Sequence, residues 1–169
     1  MAHTLILGGI RSGKSAQAEQ VARQSGGAVV YVATATAGDL EMAERIRQHR
    51  QRRPARWSLV EEPLALGRVL RDHRAQYPCL LIDCMSLWLS NLLHAGDETM
   101  ARERADFQHA LDDYPGPVVI VSNEVGLGTI GMDPLTRRFT DQLGWLNQAL
   151  AAHCQQVILV AAGLPLVLK

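Results

Sequence analysis

The sequence has 169 residues, enough for one domain with a real core and too few for two ordinary ones. Apolar residues make up 47% of it and charged residues 20%, a globular balance that excludes a disordered chain. Its 17 Lys and Arg offset 17 Asp and Glu, and a net charge of zero argues against a non-specific nucleic-acid binder.

Met1-Ala2-His3-Thr4 carries no charged leader, and the apolar run behind it is only about four residues long, so no signal peptide is expected. Thr4-Leu5-Ile6-Leu7 reads as a short buried strand that ends at Gly8-Gly9. A helix follows from 14 to about 24, with Ala16, Ala18, Val21 and Ala22 on its apolar face and Gly26-Gly27 as its stop. Ala28 to Ala33 is a second buried strand. Residues 39 to about 52 read as a strongly polar helix, with Asp39 near its start and Pro54 after its end. A short strand is expected over Trp57 to Val60, and Pro63 opens a helix to about Ala75.

Cys79 to Asp83 is another buried strand. Helices follow at roughly 86–94 and 98–113, then a strand from Pro117 to Ser122 and a long helix over about 134–153. Val157 to Ala161 is a strand, and Leu164 to Leu168 adds one more. Apolar runs that alternate with helical patterns predict an α/β architecture of three layers around a mostly parallel sheet. No linker or repeat interrupts it, so residues 1–169 are expected to form a single domain. Cys79, Cys84 and Cys154 are odd in number and lack metal-type spacing, which predicts buried free thiols. No apolar stretch approaches the ~20 residues of a membrane span. A cytoplasmic protein is the expectation.

Chemistry enters at Gly8-Gly9-Ile10-Arg11-Ser12-Gly13-Lys14-Ser15, a complete phosphate-loop pattern between a strand and a helix. Its glycines let backbone N–H groups curl around a phosphate, and the helix that follows points its positive end at the same anion. Lys14 is placed to reach the β- and γ-phosphates, and Ser15 to ligate Mg²⁺. Asp83 ends a buried strand. It reads either as the acid that holds Mg²⁺ beside Ser15 or as a plain helix cap. Polar residues at the carboxyl ends of parallel strands are site candidates, which singles out Asn123-Glu124-Val125-Gly126. Glu61 and Glu62 read as surface charges or as contacts to a nucleotide ribose.

The one basic cluster runs from Arg45 to Arg53 and contains His49. Such a run is usually a solvated face, and a lone exposed histidine is usually idle. An imidazole among arginines has a sharper use: the positive field keeps it neutral and nucleophilic and draws polyphosphate to it.

These stretches together resemble the bifunctional adenosylcobinamide kinase/adenosylcobinamide-phosphate guanylyltransferase family of cobalamin biosynthesis. The carriers are the Gly-Gly-x-Arg-Ser-Gly-Lys-Ser form of residues 8–15, Tyr31 to Ala35, Glu41-Met42 through His49-Arg50, Arg53-Pro54 and Trp57, Glu61-Glu62-Pro63, Asp83 through Leu93, and Ser122 through Gly126. The resemblance implies two reactions. ATP or GTP phosphorylates adenosylcobinamide, and GTP then donates GMP to that phosphate through a guanylylated histidine. His49 is the matching position, with Lys14 the other catalytic candidate. The implied nucleotide site comprises Gly8, Gly9, Ile10, Arg11, Ser12, Gly13, Lys14, Ser15, Thr34, Ala35, Thr36, Arg52, Arg53, Pro54, Ala55, Glu61 or Glu62, and Asp83, with Mg²⁺ on Ser15 and Asp83. A homo-oligomer, a trimer, is implied as well, and the corrinoid is expected near 84–93. The rival expectation is a phosphate-loop kinase of another small metabolite, which needs Lys14, Ser15 and Asp83 but not His49.

Overall fold

A computed structural model describes residues 3–36, 54–128 and 131–169. The helix expected over 39–52, with His49, Arg52 and Arg53, lies outside the described residues. Within them the chain runs β1 (Thr4–Gly8), α1 (Lys14–Gln24), β2 (Val29–Ala33), β3 (Ser58–Glu61), α2 (Leu66–Asp72), β4 (Cys79–Asp83), α3 (Met85–Ala95), α4 (Asp97–Asp113), β5 (Val118–Asn123), α5 (Pro134–His153), β6 (Gln156–Ala161) and β7 (Leu164–Val167).

The strands form one sheet in the order β3-β2-β4-β5-β1-β6-β7. Every pairing is parallel except β6 with β7. The exception follows from connection length, because only Ala162 and Gly163 separate the paired Ala161 and Leu164. Both take positive φ, 51° and 78°, as a two-residue hairpin turn of the favoured twist requires.

Alternation along each central strand sends side chains to two cores. Leu5, Leu7, Leu80, Ile82, Val118 and Ile120 meet Trp88, Phe107, Leu143 and Leu150 from α3, α4 and α5. Ile6, Tyr31, Leu81, Val121 and Ile158 meet Ala18 and Ala22 of α1 on the other face. Trp88 anchors the larger core: it is fully buried, meets Phe107 edge-on at 5.3 Å and donates its indole N–H to the Leu64 carbonyl at 2.7 Å.

One helix is shorter than its pattern suggests. The helix expected from Pro63 to Ala75 is helical only over Leu66–Asp72. Glu62 folds back and accepts from the Leu64 and Ala65 amides at 2.9 and 2.8 Å, so the residues after Pro63 form a turn that feeds the helix. The long helix α5 begins where the sequence places it, at Pro134. Asp133 caps it by accepting from the Thr136 amide at 2.8 Å. All three cysteines are buried and free. No helix among the described residues is long and apolar enough to cross a membrane.

Candidate functional site

Parallel strands deliver their carboxyl ends to one edge of the sheet, and the candidates collect there. Gly8 ends β1, Asp83 ends β4 and Asn123 ends β5, on three adjacent strands. Thr34 follows β2, and Glu61 ends β3, farther along the same edge. With strands about 4.8 Å apart, β2 lies roughly 14 Å from β1. The candidates therefore fall into a phosphate group at β1, β5 and β4, and an outer group at β2 and β3.

The phosphate loop is shaped by its backbone. Ser12 N donates to Gly9 O at 3.2 Å, Glu124 N to Gly8 O at 3.0 Å and Gly163 N to Ser12 O at 2.8 Å. A Cβ on Gly8 would lie 2.4 Å from Ser12 Oγ and 2.7 Å from the Val160 carbonyl, so only glycine fits. Gly13 has φ 97° and presses against the Gly163 Cα. Arg11 also adopts a left-handed conformation, φ 54°, which costs a side-chain-bearing residue about 1–2 kcal/mol. The Ser12 hydroxyl is tucked beneath Gly8 and has no hydrogen-bond partner among the described residues.

Lys14 is half-buried at the start of α1, and its Nζ donates to Gly9 O at 3.0 Å across the mouth of its own loop. Burial pulls its ammonium below the usual lysine range, with Cys84 and Asp83 opposing the shift.

Asp83 is not a helix cap. The cap position of α3 is Cys84, and no side chain caps that helix. Instead the Asp83 carboxylate accepts the Tyr31 hydroxyl at 2.8 Å. Behind it, the Thr34 hydroxyl donates to the Cys84 carbonyl at 2.8 Å and accepts from the Cys84 amide at 2.9 Å. Asn91 donates to the Thr34 and Pro63 carbonyls at 2.8 and 3.1 Å, which fixes the loop after β2 to α3. Tyr31 and Asn91 carry no motif that names these roles. Beyond lying in stretches that carry the family resemblance, each is marked in the sequence only by being polar within an apolar element.

The donor set suits a magnesium ion. Among the described residues no group of three or more His, Cys, Asp or Glu converges as a closed metal cage would require. One carboxylate and one hydroxyl, with phosphate oxygens and water completing the shell, is how Mg²⁺ is usually held.

Of the outer candidates, Thr34 is fully buried, Ala35 and Pro54 are half-buried, and Thr36 and Ala55 are exposed. Glu61 is exposed on the edge strand. Glu62 is buried, and Arg68 adds a 2.6 Å contact to its two amide partners. Burial alone would raise the Glu62 carboxyl, but the two amides and Arg68 outweigh it and hold the group below its ordinary range. The segment 84–93 is mostly core: Met85, Trp88, Leu89 and Leu92 are fully buried. Its outer edge, at Ser90, Leu93 and His94, faces Leu135, Thr136 and Phe139 of α5 across a cleft of about 240 Å³.

A strand-loop-helix phosphate cradle, an acid on the strand beyond its neighbour and a central parallel sheet define a phosphate-loop nucleotide-binding protein. Solved structures agree on the fold. The RadB recombinase superposes with a TM-score of 0.50 at 16% identity, covering 94% of this chain and 73% of its own. A Pyrococcus horikoshii protein reaches 0.55 at 10%, covering 99% and 86%. The family is narrower. Residues 4–168 match the model of cobinamide kinase / cobinamide phosphate guanyltransferase. The bifunctional adenosylcobalamin biosynthesis protein CobP of Pseudomonas aeruginosa is 51% identical, covering 98% of this chain and 96% of its own. The corresponding CobU proteins of Escherichia coli and Salmonella typhimurium are 37% and 35% identical, each over 98% of both chains. The chain belongs to the cobinamide kinase/cobinamide phosphate guanyltransferase family.

Proposed function

We propose that this protein phosphorylates adenosylcobinamide with ATP or GTP and then transfers GMP from GTP to the product through His49. The observation that carries the reading is the placement of the phosphate loop after β1 and of Asp83 at the end of β4, on either side of β5 at one edge of the sheet, in a chain of this family.

In the first step the acceptor hydroxyl attacks the γ-phosphorus, and the bond to the β–γ bridging oxygen breaks. Lys14 and the loop amides stabilise the charge that gathers on the departing oxygens. Mg²⁺ at Ser15 and Asp83 supplies further neutralisation when bound. In the second reaction a His49 ring nitrogen attacks the α-phosphorus of GTP and pyrophosphate leaves. An oxygen of cobinamide phosphate then attacks the same phosphorus, breaks the P–N bond and returns the histidine free. The same loop serves both reactions because it grips the phosphates rather than the atom attacked. Arg52, Arg53, Pro54 and Ala55 join the nucleotide site with Thr34, Ala35 and Thr36. Glu61 is the better ribose contact of its pair, because Glu62 is committed to the amides that lead into α2.

We place the protein in the cytoplasm, where three free thiols persist. We also propose a homo-oligomer, a trimer. The exposed Leu164, Leu166, Val167 and Trp145 support subunit contacts. The zero net charge supports no nucleic-acid partner.

Mass spectrometry after incubation with GTP and Mg²⁺ tests the reading. A GMP adduct on His49, labelled from the α- and not the γ-phosphate and lost in His49→Ala, is the expected result. Cobinamide phosphorylation with no adduct anywhere would overturn the histidine route. Phosphorylation of another small metabolite in preference to cobinamide would return the protein to the simple kinases.

A further inference from the structure

The tips of β4 and β5 are joined by a file of polar side chains that starts on α5. Asn147 there is 7% exposed, on a helix whose other inward residues, Leu143, Leu146 and Leu150, are aliphatic. Its Oδ1 accepts from the fully buried Ser122 hydroxyl at 2.6 Å, and its Nδ2 donates to the Asn123 carbonyl at 3.1 Å. Chemistry fixes this orientation: the Asn123 carbonyl only accepts, so the amide nitrogen must face it. Asn123 Nδ2 then donates to Ser86 Oγ at 2.7 Å, and Ser86 Oγ lies 3.0 Å from Cys84 Sγ. The file ends one residue from Asp83.

Strand register shows what it spans. Asn123 stands opposite Gly8, the first residue of the phosphate loop, and Val121 stands opposite Asp83. Asn123 is therefore tied to the loop strand through its main chain and to the Asp83 turn through its side chain. Asn147 grips that main chain from behind. A leucine could fill a core position on α5 without polar partners, as its neighbours do. The amide sits at the level of the β5 tip, where the two halves of the site meet.

We propose that Asn147 is a positioning residue for both transfer reactions: through Ser122 and Asn123 it sets the spacing between the Lys14-bearing loop and the Asp83 carboxylate. The proposal rests on the assignment of Gly8–Ser15 and Asp83 as the phosphate-transfer site.

Steady-state kinetics of both steps on the full chain test it, with Asn147→Ala, Ser86→Ala and the double variant. Each single change should lower kcat about tenfold with the nucleotide KM within about twofold, since displaced reacting groups lose rate before they lose binding. The double variant should be no worse than the worse single one, because both cut the same file. Leu150→Ala is the packing control on the same helix. It should lower the melting temperature at least as much as Asn147→Ala yet leave kcat within about twofold. Equal loss of kcat in Leu150→Ala, or multiplied losses in the double variant, would overturn the proposal. If Asn147→Ala does not fold, Ser122→Ala removes only the hydroxyl that donates to Oδ1 and should give the same split. Lys14→Ala separates the two levels. Full activity in that variant would sink the site assignment itself, whereas lost activity there beside unchanged kcat in Asn147→Ala would sink only the positioning role.

Discussion

The phosphate loop and the turn that carries Asp83 lie two strands apart and are held by opposite means. The loop is fixed by main-chain bonds and by glycines: Gly9, Ser12, Glu124 and Gly163 contribute only backbone atoms. The acid turn is fixed by side chains from elsewhere: the Tyr31 and Thr34 hydroxyls, and the file through Ser86, Asn123 and Asn147. A cradle for phosphate must present N–H groups, which every residue but proline owns, so its sequence constraint is the absence of side chains. A carboxylate must be aimed, and aiming takes hydroxyls and amides placed by the tertiary fold.

That contrast can be broken from either side. The largest effect is expected at the charged side chain that the loop turns on the phosphates. Lys14→Ala should cut both transfer rates by about a hundredfold or more while the fold survives, as loss of one preorganised charged donor does. Single-turnover assays with ATP and with GTP check it. Gly8→Ala comes next. The new methyl meets a main-chain carbonyl that cannot step aside, so about 1–3 kcal/mol of stability and most nucleotide affinity should go together. Calorimetric titration and a thermal melt read both.

On the acid turn, losses should be graded by bonds removed. Thr34→Val abolishes two buried hydrogen bonds to Cys84 and should cost about 2–3 kcal/mol, with a fall in kcat. Tyr31→Phe removes one bond to Asp83 and should cost about 1 kcal/mol, with a milder fall. Denaturant melts paired with kinase assays would show whether the two scale. The smallest effect concerns Glu62, which braces the turn before α2. Its folded-state pKa lies below the ordinary 4.5, so its contribution is present above about pH 4.5 and fades as pH falls through the folded value. Glu62→Gln should flatten that acid limb of the stability curve and leave neutral pH nearly unchanged in slope.

Legibility in the sequence follows the same division. The strand before the loop and α1 are readable to within a residue, because glycine spacing, a lysine and a hydrophobic period are local facts. So are β4 and α5, one a pure apolar run and the other opened by Asp133-Pro134. The role of Asp83 was readable only as a choice. The cap alternative is excluded by Cys84 at the helix start and by the Tyr31 hydroxyl at the carboxylate. Nothing local marks Tyr31, Asn91 or Asn147 as partners of residues tens of positions away, since pairing at that distance is decided by topology. The shortened α2 was hidden for a related reason: Glu62 takes the amides that the helical pattern assigns to a first turn.

The bond from Gly163 to Ser12 gives the phosphate loop a dependence on the order of synthesis. β1 lies in the middle of the sheet, between β5 and β6, both of which leave the ribosome long after it. The nucleotide motif is made well before the turn that walls it. A nascent chain therefore carries the complete motif over that interval without the surface that shapes it, and ligand should begin to protect it only after the β6–β7 turn has emerged.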